Sequence, residues 1–264
     1  MLLQRILTAI VAAALILLVL FAFPAPAAKG VIAAIILAAA WEWAKFLSLH
    51  GVAARLSYVA TIGTVLAAVT WFAPSPESTV VILKVGLVWW FAALIWAFFY
   101  PTPITRPVGW ICGALVLVPA YVALVSLYSL RPSVLLFALV VIWAADIGAY
   151  FAGKSFGRIK LAPRISPGKT WEGVIGGLVA VVLVLVAVRL YWIDIDVAVI
   201  IPFCLAVATL SVVGDLTVSM FKRSAGLKDS GRVFPGHGGV LDRIDSVTAA
   251  APLFALGIGW AGLA

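Results

Sequence analysis

Apolar residues run in long blocks along this chain, with neither the two-residue alternation of a half-buried strand nor the narrow stripe of a surface helix. The blocks are Ile6 to Phe23, Gly30 to Leu47, Ser57 to Phe72, Thr79 to Phe99, Val108 to Tyr128, Val134 to Phe151, Gly173 to Trp192, Val197 to Val213 and Ile244 to Ala261. Each comes close to the roughly 20 residues that cross a hydrocarbon core of about 30 Å. Short connectors rich in helix breakers separate them, such as Pro74-Ser75-Pro76, Pro101-Thr102-Pro103 and Arg131-Pro132. The pattern predicts an all-α polytopic membrane protein of about nine transmembrane helices. It divides into N-terminal helices (1–75), middle helices (76–132) and a C-terminal region (133–264). Arg5 and the apolar run after it resemble a secretory signal. The run is long for a signal core, and Pro24 and Pro26 crowd the cleavage position, so a retained first helix is expected.

Composition agrees: 65% of the 264 residues are hydrophobic and 11% charged, against about 45–50% apolar and about 25% charged in soluble domains. Mean hydropathy is +1.22. With the N-terminus in the cytoplasm, only Lys29, Lys84, Arg131 and Arg189 of the 18 Lys and Arg residues fall outside, as the positive-inside rule requires. The net charge of +8 is therefore assigned to topology and anionic headgroups rather than to nucleic acid. Cys112 and Cys204 lie within apolar runs and are read as small core residues. No internal repeat is evident.

Acids are rare before residue 130, where Glu42 and Glu77 stand alone, and the other eight of the 10 follow from Asp146 onward. Chemistry is therefore expected in the C-terminal half. Glu42, in Trp41-Glu42-Trp43, is read as part of an aromatic belt or as a headgroup contact. Asp146, near the cytoplasmic end of the sixth span, is costly there unless it faces a cavity, a cation or a partner such as Lys154. The loop Gly153 to Gly173 combines basic residues with glycine, serine and threonine and runs into a helix start, where backbone N–H groups beside Lys169 and Thr170 suit a phosphate. Gly168-Lys169-Thr170 is not a P-loop, because Pro163 occupies the position of the first glycine.

The segment Gly214 to Ser246 is denser. Asp215 and Ser219 share one helical face, and Asp242 and Asp245 share another. Converging carboxylates of this kind suit Mg²⁺ with phosphate oxygens. Zinc is not expected, because His50 and His237 are the only histidines. His237 could act as an acid or base, as a donor to phosphate, or as a loop residue. Lys222, Arg223, Lys228 and Arg243 supply cations for phosphates. These residues together indicate phosphoryl or nucleotidyl transfer at a membrane surface.

The run Ser219-x2-Lys222-Arg223-x4-Lys228-Asp229-x-Gly231-x2-Phe234-Pro235-x-His237-Gly238-Gly239-x2-Asp242-Arg243-x-Asp245 resembles the signature of the phosphatidate cytidylyltransferases, or CDP-diacylglycerol synthases. Ala145-Asp146-x-Gly148-Ala149-Tyr150-Phe151, Ser166-Pro167-x-Lys169-Thr170-Trp171-Glu172-Gly173, Gln4-Arg5 and Trp41-Glu42 are also similar to bacterial members. The resemblance implies an inner-membrane homodimer, with an interface in the middle helices (76–132) and a catalytic region over 133–264, that condenses CTP with phosphatidic acid, giving CDP-diacylglycerol and pyrophosphate. Catalytic residues are then expected at Asp215, Ser219, Lys222, Arg223, Lys228, His237, Asp242 and Arg243. Substrate-binding residues are expected at Ser166, Lys169, Thr170, Gly238 and Gly239. Metal ligands are expected at Asp215, Asp242 and Asp245, with Asp146 a further candidate. Mg²⁺ is the expected cofactor, and a monovalent cation such as K⁺ is a second candidate. One position departs: Val218 stands where the family usually has glutamate. The eighth span is expected to break or bend near Gly214. A membrane lipid or polyprenol kinase using CTP or ATP is the alternative enzyme, and a transporter with Asp146 and Asp215 on an ion path is the rival from another class.

Overall fold

The computed structural model describes residues 2–49, 51–73, 75–191, 196–231, 233 and 238–259. Among these lie nine helices: α1 (Leu2–Phe21), α2 (Ala25–Phe46), α3 (Val52–Phe72), α4 (Pro76–Phe98), α5 (Arg106–Leu130), α6 (Pro132–Phe156), α7 (Trp171–Tyr191), α8 (Val197–Ser224) and α9 (Leu241–Gly257). Between α6 and α7 the chain forms two short antiparallel strands, β1 (Lys160–Ala162) and β2 (Ser166–Thr170). Seven helices, α2 to α8, are long and apolar enough to cross a membrane. Side chains such as Trp71, Phe72 and Phe98 are more than four-fifths exposed. Such exposure is costly in water and ordinary against lipid.

Two of the prolines read as breakers, Pro76 and Pro132, turn out to start helices, and Pro107 does the same. Pro76, Pro107 and Pro132 sit in the first turn of α4, α5 and α6, where the missing N–H has no intrahelical partner to lose. Ser75 caps α4 by accepting the N–H of Ser78 at 3.2 Å, and Asp196 caps α8 by accepting that of Ala198 at 2.9 Å. A single extended residue, Arg131, joins α5 to α6.

α5 is the most enclosed of the long apolar helices. Close approaches of small residues hold the helix pairs together, the usual basis of association where lipid removes the hydrophobic drive. On α6 and α7 a β-carbon added at Gly148 would lie 2.5 Å from the Ala180 β-carbon, and one at Gly177 would lie 2.6 Å from the Ala145 carbonyl oxygen. α8 is continuous through Gly214, contrary to the expected break. That glycine serves packing instead, since a β-carbon there would come within 2.5 Å of the Asp245 carbonyl oxygen on α9. α8 thus carries Asp215, Ser219, Lys222 and Arg223 on one rigid element.

Candidate active site

α6, β2, the start of α7, α8 and the start of α9 enclose a cavity of 630 Å³, within the usual range of small-molecule sites. Asp146, Lys169, Thr170, Asp215, Asp242, Arg243 and Asp245 all line it, although more than 90 residues separate the first from the last. Helix spacing explains the convergence. Asp215 and Ser219 are one turn apart on α8, and the Ser219 hydroxyl donates to Asp215 Oδ1 at 3.1 Å. Lys169, on β2, reaches Asp215 Oδ2 at 2.7 Å. Thr170 ends β2 and accepts the N–H of Gly173 at 3.2 Å, capping α7.

On α9, Asp242 is fully engaged. Its Oδ1 pairs with Lys222 Nζ at 2.8 Å, and its Oδ2 accepts the N–H groups of Ser230 and Gly239, each at 2.9 Å. Gly238 makes room for this arrangement: it has φ +82°, and a β-carbon there would come within 2.6 Å of Asp242 Oδ2. Asp245 and Asp146 are far less satisfied. Among the described residues Asp245 Oδ1 accepts only the N–H of Ser246, at 2.9 Å, and Asp146 Oδ1 accepts only the Ser246 hydroxyl, at 3.2 Å. Lys154, the alternative partner of Asp146, lies over the Tyr150 ring instead.

No three His, Cys, Asp or Glu side chains among the described residues converge closely enough to cage a metal. Mg²⁺ does not require such a cage, because it binds through one or two carboxylates together with phosphate and water oxygens. The under-partnered carboxylates of Asp146 and Asp245 beside Asp215 are hard oxygen donors of that kind, and a buried anion calls for a counter-charge. The residues therefore fit the ion.

Other expected residues stand elsewhere. Arg223 donates to the carbonyls of Ile165 and Leu227, each at 3.3 Å, tying the end of α8 to the β1–β2 turn. Lys228 is exposed in the next loop, and Ser166 is half-buried at the start of β2. Neither Lys222 nor Gly239 is on the cavity wall; both support Asp242. His237 lies outside the described residues. Val218 is completely buried on α8.

Sequence reasoning missed Glu42. Its carboxylate is buried and accepts three hydrogen bonds from Ser230, Val240 and Leu241. The available signal was the rarity of an acid in a membrane helix, which the flanking tryptophans disguised.

A sequence model of the Cytidylyltransferase family matches residues 3–259. The chain belongs to this family. It is 42% identical over 265 residues to the phosphatidate cytidylyltransferase of Pseudomonas aeruginosa, covering 97% of this chain and 96% of that protein. It is 37% identical over 283 residues to that of Haemophilus influenzae, covering 96% and 97%. A shorter match, 48% over 128 residues, links it to the Brucella suis protein of the same name. Membership accounts for the coincidence of acids and cations at one cavity of an otherwise apolar cytidylyltransferase.

Proposed function

We propose that this cytidylyltransferase condenses CTP with phosphatidic acid, forming CDP-diacylglycerol and releasing pyrophosphate, at the cytoplasmic face of a bacterial inner membrane and as a homodimer. The polar cavity shares Val174 and Val212 with a second cavity of 580 Å³, lined largely by apolar side chains of α4, α8 and the β1–β2 turn. A headgroup in the first can therefore be continuous with acyl chains in the second, as a substrate with one charged and one oily end demands.

In the reaction a phosphatidate phosphate oxygen attacks the α-phosphorus of CTP, a new P–O bond forms, and the bond to the β-phosphate breaks to release pyrophosphate. A phosphate monoester is already largely dianionic at pH 7, its second pKa being about 6, so the attacking oxygen needs no strong base. Lys154, Lys169 and Arg243 are the cations lining the cavity; of these Lys169, now paired with Asp215, and Arg243 would meet incoming phosphates. Asp215 and Asp245, with Asp146 as a further donor, would hold Mg²⁺, whose charge would offset that building on the triphosphate. Catalysis of this class rests on positioning and electrostatics, which a rigid α8 and a tightly held α9 provide. The basic residues placed inside by the positive-inside count support the cytoplasmic orientation.

The test is pyrophosphate release by the full-length protein in detergent with CTP, Mg²⁺ and phosphatidic acid. Release that requires the lipid, and that Asp215→Asn abolishes, is expected. Absence of lipid-dependent release from correctly folded protein overturns the proposal.

A further inference from the structure

Glu42 sits near the end of α2 and is only 2% exposed. Its Oε2 accepts the Ser230 hydroxyl at 2.7 Å and the Leu241 N–H at 2.8 Å, and its Oε1 accepts the Val240 N–H at 3.0 Å. Three residues later, Lys45 Nζ donates to the Ser230 carbonyl at 2.6 Å. The N–H of Ser230 in turn donates to Asp242. One loop residue thus joins Glu42, Lys45 and Asp242. Two glycines are shaped around this junction, because a β-carbon at either Gly231 or Gly239 would overlap the Glu42 carboxylate.

We propose that Glu42 is a positioning residue for the transfer reaction. It fixes the first turn of α9 and so sets where Asp242, Arg243 and Asp245 meet the cavity. The start of a helix leaves N–H groups without intrahelical acceptors and carries partial positive charge. A local Ser, Thr, Asp or Asn usually caps them. At α9 the residue at that position is Val240, which makes no side-chain cap, and the carboxylate comes instead from a helix 199 residues away in sequence from Leu241. A buried anion bound to several donors tolerates little displacement, because each lost bond leaves a polar group unpaired in a low-dielectric setting. The N-terminal helices thereby become part of the catalytic apparatus without touching substrate.

The kinetic part of this inference rests on the cytidylyl-transfer reading, and the exchange part does not. Glu42→Gln puts an amide donor where only acceptors fit. In the full-length protein, faster amide hydrogen exchange at residues 240–242 is expected, with exchange in α4 and α7 unchanged. Turnover should fall about 10- to 100-fold, the scale of a small misplacement of reacting groups, while KM for CTP and for lipid stays within about threefold. Because Glu42 acts partly through Ser230, Glu42→Gln combined with Ser230→Ala should lose little more than the worse single variant. Unchanged exchange at 240–242, unchanged turnover, a rise in KM at constant turnover, or losses that multiply in the double variant would each overturn the proposal. If the parent protein shows no lipid-dependent pyrophosphate release, the reaction assignment fails, and hydrogen exchange still decides whether Glu42 holds α9.

Discussion

Removing the charge of Asp242 should unfold the protein more readily than its single salt bridge suggests. The Lys222 and Asp242 side chains are 10% and 8% exposed, so neither charge can turn to solvent. Asparagine at 242 can face its oxygen to the Ser230 and Gly239 N–H groups, leaving its amide against the Lys222 ammonium. It can instead face its oxygen to Lys222, leaving two backbone N–H groups unpaired. The first arrangement strands a buried cation, at about 3–5 kcal/mol; the second strands two donors, at about 1–3 kcal/mol each. Either way the loss is about 3–5 kcal/mol, which for a chain of this size lowers the melting temperature by roughly 6–20 °C. Lys222→Met alone should cost a similar amount by stranding the anion. In the double variant Lys222→Met with Asp242→Asn neither member of the pair is charged, and the asparagine oxygen still accepts both N–H groups. Stability should therefore recover by about 2–4 kcal/mol relative to the sum of the single losses. Thermal melting of the four proteins in one detergent measures this. An Asp242→Asn protein that melts within about 2 °C of the parent, or single losses that simply add, would refute the reasoning.

Three further outcomes are expected. Gly177→Val should sharply reduce folded yield on size-exclusion chromatography, because its β-carbon would press on the Ala145 carbonyl where α6 and α7 touch; a normal yield would contradict the close packing. Leu94→Trp, which partly fills the apolar cavity, should raise KM for long-chain phosphatidic acid several-fold while leaving KM for CTP unchanged. An equal change in both would separate that cavity from the acyl chains. Val218→Glu places a carboxylate one helical turn before Lys222, within i,i+4 reach, and should raise turnover at least threefold by steadying that lysine; unchanged or reduced turnover would remove this explanation of the departure from the family pattern.

The membrane helices were legible because uninterrupted apolar runs leave few alternatives, and their ends moved mainly where proline began a helix instead of ending a turn. Gly214 misled because a glycine near the end of an apolar run reads as a breaker, whereas here its missing side chain lets α9 lie against α8. The β1–β2 pair was hidden in a loop rich in proline, glycine and charge. Spacing brought Asp215 together with Ser219 and Asp242 with Asp245, since each pair shares a helical face. It could not show that Asp242 would be consumed by Lys222 and two backbone amides, or that Arg223 would turn to Ile165. Glu42 was the hardest to read, because Ser230 lies 188 residues away and no local pattern encodes such a contact.

The junction of the two cavities at Val174 and Val212 has an energetic meaning for the proposed lipid substrate. Drawing two chains of about 15 methylenes each out of the bilayer would cost on the order of 20 kcal/mol at roughly 0.8 kcal/mol per methylene, more than any plausible headgroup contact returns. With the acyl chains in the second cavity and the phosphate in the first, as proposed, that extraction would not be needed. The oily end would stay in apolar surroundings while the polar end reacts, so such an enzyme would need neither a carrier nor a separate energy source to bring together a water-soluble nucleotide and a molecule that never leaves the membrane.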